Sequence, residues 1–370
     1  MLKQHPLHLL FVIGDAGGFS VLRPIIKHFK IGEHQIEVLV NKTFSEIIPR
    51  IMIENPEYRI LDNESYVIFS NLSRDQRPDI AVITVSRAGN LEKRLVKKAR
   101  SLNIPTVSPI ENWGPFAGRF SDIESGQFKN HMAYLPDHVL VVDEFAKTQA
   151  ISERVPKDCI SVIGSIPIES IIKKPQNYEK STLKKIKLGL GGGNNQKVVV
   201  FASQALRNEM GLNSPEYAGY DETEVLSDIC EALSRIWPNC LLVVKLHPFE
   251  RIEEFKKPLS LGLIKHTIIK EMPSSEIIAV GDLIIGMISG FLIEASIKNK
   301  LVVSYQKSIK TKTKFVGSAL DLMYFCNNVN QLERLLKRSP KPLLTATKYY
   351  KKISNGATNR IISFIENVGR

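Results

Sequence analysis

Short apolar runs alternate along this chain with stretches whose apolar residues recur at helical spacing. Residues 7–13 form one such run, broken only by His8 and ending at Gly14, and 21–29 follow with their apolar positions on one helical face. Further runs rich in Val and Ile fall at 36–40, 80–85, 104–107, 139–142 and 159–163, the last ending at Gly164. Between them, 44–53 and 90–102 read as helices, the second with alternating charge. Continuous apolar runs predict strands buried on both faces, as happens where helices cover both sides of a parallel sheet. The first 165 residues are therefore expected to form a doubly wound α/β domain.

The pattern lapses between 173 and 196. Pro175 and the lysines Lys180, Lys184, Lys185 and Lys187 lead into Gly191, Gly192 and Gly193, with Asn194 and Asn195 behind them. Three consecutive glycines end any helix that precedes them. From 198 the alternation resumes, with runs at 198–202, 241–246, 282–285 and 301–304, a short lead-in at 277–279, helices at 223–236 and 291–297, and a closing amphipathic helix at 356–368. The expected organisation is an α/β domain over 1–174, a linker over 175–196, a second α/β domain over 197–345, and a closing helical segment, 346–370, whose return toward the first domain is what the resemblance given below implies.

A length of 370 residues suits two domains better than one core. With 43% hydrophobic and 24% charged residues the chain is globular and not disordered. Cys159, Cys230, Cys240 and Cys326 lie far apart with no CxxC pair, which excludes a zinc ribbon, argues against a disulfide framework and suits a reducing cytoplasm. No apolar run reaches the roughly 20 residues of a spanning helix. The short N-terminal run is interrupted by His8 and lacks a small-residue cleavage site, so no signal peptide is expected.

The net charge of +12 has an address. Residues 301–370 hold 13 Lys+Arg against 3 Asp+Glu, while 201–250 hold 8 Asp+Glu against 3 Lys+Arg. Lys307, Lys310, Lys312 and Lys314 follow the run at 301–304, and the resemblance given below implies that they flank a cleft. No helix-turn-helix, zinc-finger or RNA-binding signature accompanies the charge, so a phosphorylated ligand, an anionic acceptor or a membrane surface is the expected partner, and nucleic acid is not.

Four segments carry candidate chemistry. In Gly14-Asp15-Ala16-Gly17-Gly18, between the first strand and first helix, glycines permit close approach of a ligand to the backbone, and Asp15 is either a base for an attacking hydroxyl or a helix N-cap. Lys245-Leu246-His247-Pro248 ends an apolar strand, bringing His247 to the sheet edge as a phosphate donor or as a structural histidine. Ser289-Gly290 opens a helix after a strand and suits a phosphate; Glu294, one turn on, is a ribose ligand or a first-turn acid. The loop Pro109-Ile110-Glu111-Asn112-Trp113-Gly114-Pro115, with Arg119 and Asp122 beyond, offers an aromatic face and a second carboxylate, Glu111, or is a packed loop.

Together these segments resemble the nucleotide-sugar glycosyltransferases of the GT-B fold and their relatives, the non-hydrolysing UDP-N-acetylglucosamine 2-epimerases and the CDP-glycerol glycerophosphotransferases. Gly14 to Gly18 with Pro24 resembles an acceptor loop; Lys245 to Pro248 resembles the KLHP segment of the glycerophosphotransferases, which faces donor phosphates; and Gly356-Ala357-Thr358-Asn359-Arg360-Ile361 resembles the returning C-terminal helix. Aligned on the epimerases' Ser-Gly-Gly-x-x-Glu-Glu-Ala motif at Glu294-Ala295, Ile293 replaces one acid and Ser289 falls on a glycine, a departure from the epimerase pattern.

The resemblance implies two Rossmann-like domains facing across a cleft, with a nucleotide sugar on the second and a sugar or lipid-linked acceptor on the first. It implies a glycosyltransferase acting in the cytoplasm or at the inner membrane face, building a bacterial surface polysaccharide or glycoconjugate. Asp15, Glu111 and His247 would carry the chemistry. Gly17, Gly18, Trp113, Arg119, Lys245, Ser289, Gly290 and Glu294 would bind substrate. No Asp-x-Asp occurs in the chain, so neither metal nor cofactor is expected. The alternatives are a sugar-nucleotide epimerase or hydrolase, and a non-catalytic sugar- or nucleotide-binding subunit.

Overall fold

The computed structural model describes residues 5–41, 58–86, 89–124, 127–174, 178–207, 217, 219–248, 250–260, 264–309 and 315–370. The helix expected at 44–53, Pro175, and Lys310, Lys312 and Lys314 lie outside the described residues. The chain divides into two compact units, Met1–Ser170 with Lys352–Arg370, and Ile171–Lys351.

The first unit is built on a parallel sheet of seven strands, β1 (His8–Ile13), β2 (Gln35–Asn41), β3 (Arg59–Leu61), β4 (Ile80–Ile83), β5 (Thr106–Pro109), β8 (His138–Val141) and β9 (Ile160–Val162). Their order is β3-β2-β1-β4-β5-β8-β9. A separate hairpin of β6 (Asp122–Glu124) and β7 (Gln127–Lys129) precedes β8. β1 is flanked on both sides, pairing His8 with Gln35 and Leu9 with Ile80, which explains why nearly all of it is apolar. Its Leu9, Phe11 and Ile13 pack with Val21, Leu22, Ile25 and Phe29 of the first helix and with Ile361, Ile362 and Ile365 of the last. The first helix begins at Ala16, ahead of its apolar stripe, because Asp15 is extended and its side chain accepts the Gly18 N–H.

The closing helix, Ala357–Val368, belongs to this first unit. Gly356 turns into it at φ +71°, and buried Glu169 holds the turn. The Glu169 carboxylate accepts the Gly356 N–H at 3.2 Å, the Thr358 N–H at 2.9 Å and the Thr358 hydroxyl at 2.6 Å. Arg360 Nε donates to the Ile163 carbonyl at 2.7 Å.

The second unit holds a parallel sheet of β10 (Val198–Ala202), β11 (Leu241–Lys245), β12 (Lys265–Ile269), β13 (Leu283–Gly286), β14 (Leu301–Tyr305) and β15 (Tyr324–Cys326), in the order β12-β11-β10-β13-β14-β15. The run at 277–279 is part of a helix, Ser274–Val280, that ends at Gly281 before β13. Within the expected linker, Lys180–Gly189 is a helix of this unit, stopped where Gly191 takes φ +87°. Both units are thus doubly wound sheets in which strand order reverses beside the first strand, at β1/β4 and at β10/β13. Ligands of open α/β sheets bind outside the carboxyl ends of the strands at such reversals. Among the described residues no helix is long and apolar enough to cross a membrane.

Candidate functional site

In the first unit the loops after β1, β4 and β5 converge on Arg119. This guanidinium, only 8% exposed, donates to the Val85 carbonyl at 2.9 Å and to Glu111 Oε1 at 2.9 Å, and lies 4.0 Å from Asp15 Oδ2. Two carboxylates from different loops are therefore held against one fixed cation. Asp15 Oδ1 is engaged by the Gly18 N–H at 2.6 Å, so Asp15 does cap its helix. Glu111 Oε1 also accepts from Asn112 Nδ2 at 2.9 Å, which leaves Oε2 as the less committed oxygen.

The glycines of the first loop serve packing as much as access. A Cβ at Gly17 would stand 2.9 Å from Glu111 Oε1, and one at Gly18 would stand 2.2 Å from Thr84 Oγ1. At both positions a side chain of a neighbouring loop stands where a Cβ would go. Trp113 is 9% exposed and its Nε1–H donates to Asp143 Oδ2 at 2.6 Å, while Asp143 Oδ1 accepts the Ala146 N–H. The indole thus ties the β5 loop to the cap of the helix Glu144–Ser152. Asp122 instead accepts from Asn130 and Tyr134, on the hairpin side of the loop.

Beneath these loops lies an acid that sequence reading passed over. Glu92 is fully buried; Oε1 accepts the Ser86 hydroxyl at 2.6 Å and Oε2 accepts from Asn41 Nδ2 at 2.6 Å, which joins the ends of β4 and β2. Burial pushes its carboxyl above the usual range, against the Ser86 and Asn41 hydrogen bonds that favour the ion. In the sequence Glu92 is one acid among the charges of a helix, and no local signal separates it from its exposed neighbours.

In the second unit the edge is formed by the ends of β10, β11, β12 and β13. His247 follows β11, and its backbone N–H donates to Glu250 Oε2 at 2.6 Å. Glu250 Oε1 accepts the Ser203 hydroxyl, from the end of β10, at 2.7 Å, and its carbonyl accepts Lys270 Nζ, from the end of β12, at 3.2 Å. On the other side of β10, Gln204 Oε1 accepts the Ile288 N–H at 3.3 Å. Lys245 Nζ stands 6.0 Å from the ring centroid of Phe291, in the helix Gly290–Ile297 that follows β13. Lys245, His247, Ser289 and Gly290, read separately from the sequence, are thus drawn onto one edge; Glu250, Ser203, Gln204 and Lys270 join them.

The electrostatics of this edge are positive but uncharged at the imidazole. Burial, then Lys245 and Lys270, push the His247 pKa down, so near neutral pH the ring is neutral and keeps one N–H to donate. Burial also pushes the Lys245 pKa down. Ser289 precedes the helix Gly290–Ile297 but does not cap it, and its Oγ is buried without a hydrogen-bond partner. A Cβ at Gly290 would meet nothing within 4 Å, so the helix entrance is open. Glu294 is half-buried, and burial raises its pKa against the opposing pull of Lys298 and Lys174.

No family model matches the chain, and no curated protein matches it. Solved structures do. The UDP-GlcNAc 2-epimerase from Neisseria meningitidis bound to UDP-GlcNAc aligns with a TM-score of 0.65 at 15% identity, over 98% of this chain and 100% of that one. A glycosyltransferase from Rickettsia africae ESF-5 aligns with a TM-score of 0.59 at 18% identity, over 99% and 96%. Arabidopsis thaliana UGT89C1 complexed with UDP aligns with a TM-score of 0.59 at 11% identity, over 97% and 99%. At these identities the likeness is one of fold: the chain has the two Rossmann-like α/β units of the GT-B fold.

Proposed function

We propose that the protein is a glycosyltransferase that takes its sugar from a nucleotide-activated donor bound at the carboxyl edge of the second unit. The observation that carries this reading is the edge itself: a neutral imidazole, two lysines and an orphaned serine hydroxyl gathered at the strand-order reversal, beside an open helix entrance. Such a set suits a diphosphate. Helix N–H groups and the Ser289 hydroxyl supply donors, Lys245 and Lys270 supply charge, and the His247 N–H meets the oxygen on which charge develops as the sugar departs. Glu294 suits a ribose hydroxyl.

In this reading the acceptor hydroxyl approaches the first unit, where Glu111 takes its proton through Oε2 as the oxygen attacks the anomeric carbon. The bond from that carbon to the phosphate oxygen breaks, and the nucleoside diphosphate leaves. Arg119 fixes the Glu111 carboxylate, and Asp15, already a cap, orients the same guanidinium. We propose a metal-independent reaction, because the chain lacks Asp-x-Asp and offers lysines and helix N–H groups in its place. A surface polysaccharide or glycoconjugate is the proposed destination of the sugar, with a sugar or lipid-linked acceptor.

Incubation with CMP-, UDP- and GDP-sugars, with and without candidate acceptors, tests this. Nucleotide release that requires an acceptor is the expected result. Acceptor-free turnover would instead establish an epimerase or hydrolase, a reading favoured by the likeness to epimerase structures. Binding without turnover would identify a binding subunit. His247→Ala is expected to weaken donor binding about tenfold or more, the loss of one hydrogen bond to a charged group. Unchanged affinity and turnover in that variant would remove the phosphate assignment.

A further inference from the structure

Glu250 is an acid that the reaction outlined above does not use, and its placement is unusual. It is 0% exposed, yet its two carboxylate oxygens are each committed to a different turn of the donor edge. Oε2 accepts the backbone N–H of His247, and Oε1 accepts the hydroxyl of Ser203. Its own carbonyl accepts Lys270 Nζ. Three strand ends, those of β10, β11 and β12, are therefore joined through this one residue. His247-Pro248 leaves the sheet as an irregular turn that Glu250 also closes through its backbone, its N–H donating to the His247 carbonyl at 3.0 Å. The carboxylate holds the other end of the turn through the His247 N–H, so side chain and backbone of one residue set where His247 stands.

We propose that Glu250 is a positioning residue of the donor site, clamping the His247 turn to the Ser203 turn so that the imidazole and Lys270 meet the donor phosphates in one preset geometry. The inference rests on the donor-site reading above and adds to it the residue that organises the site.

The clamp also carries a proton. Burial pushes the Glu250 carboxyl up to about 7, against the bonds from Ser203 and His247 that favour the ion. The groups facing it are Lys245 and Lys270 on the cationic side, the neutral His247, and Glu222 and Glu254 on the acidic side. Below pH 7 the acid is neutral and the lysines act on the phosphates undiminished. As pH rises through 7 a negative charge appears beneath the site and offsets them.

UDP is the probe, with its affinity measured by calorimetry from pH 5.5 to 8.5 on the full chain, together with KM and kcat for any donor that turns over. Glu250→Gln keeps an oxygen for the His247 N–H and an N–H₂ group for Ser203 Oγ, so it is expected to bind UDP within about threefold of the parent at pH 6. The ratio of the parent Kd to the Gln variant's Kd is expected to rise with pH through 7. Glu250→Ala is expected to lose about tenfold or more in UDP affinity and to raise KM more than it lowers kcat. Ser203→Ala, which removes one arm of the clamp with little risk to folding, is expected to lose about threefold.

A folded Ala variant that binds UDP as the parent does, or a Gln variant as weak as Ala, would overturn the clamp. So would parallel pH profiles for the parent and the Gln variant. If the parent itself binds no UDP or other nucleoside diphosphate, the donor-site reading fails first and takes the clamp with it. That outcome is distinguishable, because the variants are then not needed to see it.

Discussion

At the scale of single residues, the role of a carboxylate is decided by partners that lie far away in sequence. Asp15 and Glu111 share Arg119, yet their remaining bonds give them different roles. Asp15 caps a helix through Oδ1, whereas Glu111 keeps Oε2 uncommitted. Glu111→Gln is therefore expected to lower kcat by roughly 10²–10⁴ with little change in donor affinity, the range for loss of a general base. Asp15→Asn, which keeps a capping oxygen, is expected to cost far less; equal losses in the two variants would reassign the base to Asp15. Glu92 offers a test of the buried acid. Its folded pKa is raised, so the stability contributed by its neutral form is full below its unfolded value of 4.5 and is lost as pH rises through the folded value. The melting temperature of Glu92→Gln minus that of the parent should accordingly become more positive as pH rises, and a pH-independent difference would mean that Glu92 does not carry the proton. The strand-end positions of Asp15, Glu111 and His247 are legible in the sequence because each follows an apolar run that stops there. Glu92 and Glu250 are not, since a buried acid and an exposed one have the same local signature.

At the scale of elements, legibility follows burial. β1, β10 and β11 are flanked on both sides and read as apolar runs with a polar residue only at an end, His8 or Lys245, whereas β3, β12 and β15 lie at sheet edges, are partly exposed, and leave no such run. The helix Lys180–Gly189 was hidden for a related reason: its lysines face solvent, and only the glycines that stop it stand out. The first loop shows what patterning cannot convey. Its glycines were expected to admit a ligand, but Gly18 is needed because Thr84 lies where a Cβ would go, with Thr84 Oγ1 also accepting the Gly14 N–H at 2.9 Å. Gly18→Ala must displace Thr84 or the start of the helix, and is expected to destabilise the first unit by about 1–3 kcal/mol, the usual cost of overpacking. Donor binding, assigned to the second unit, should be unaffected. Denaturant melts alongside UDP titration would check both halves, and a Gly18→Ala protein as stable as the parent would mean that the loop yields without cost.

At the scale of the whole molecule, each unit has its own sheet and its own buried cluster. Leu9, Phe11 and Ile13 centre one, while Phe201, Val244 and Ile285 lie in another. The chain crosses from the first unit to the second at Ser170–Ile171 and back at Lys351–Lys352, so the closing helix belongs to the first core although it is made last. The charge excess of 301–370 is also distributed by this return. Lys307 pairs with Asp228 at 3.2 Å, within the second unit, while Arg360 is fastened to the Ile163 carbonyl in the first. Separate cores predict separate cooperative transitions, and a ligand stabilises only the state that binds it. UDP at one hundred times its Kd should stabilise the second unit by about 2.7 kcal/mol. For a unit of this size that raises its transition by about 5–10 °C and leaves the first unit's transition in place. The transitions are told apart by the variants, because Gly18→Ala lowers the first, and a tenfold loss of affinity in His247→Ala cuts the UDP stabilisation of the second to about 1.4 kcal/mol, roughly half. Calorimetric scans of the parent and both variants, with and without UDP, make the check: a shift confined to the transition that Gly18→Ala leaves alone assigns the donor to the second unit, and a shift of the other transition assigns it to the first.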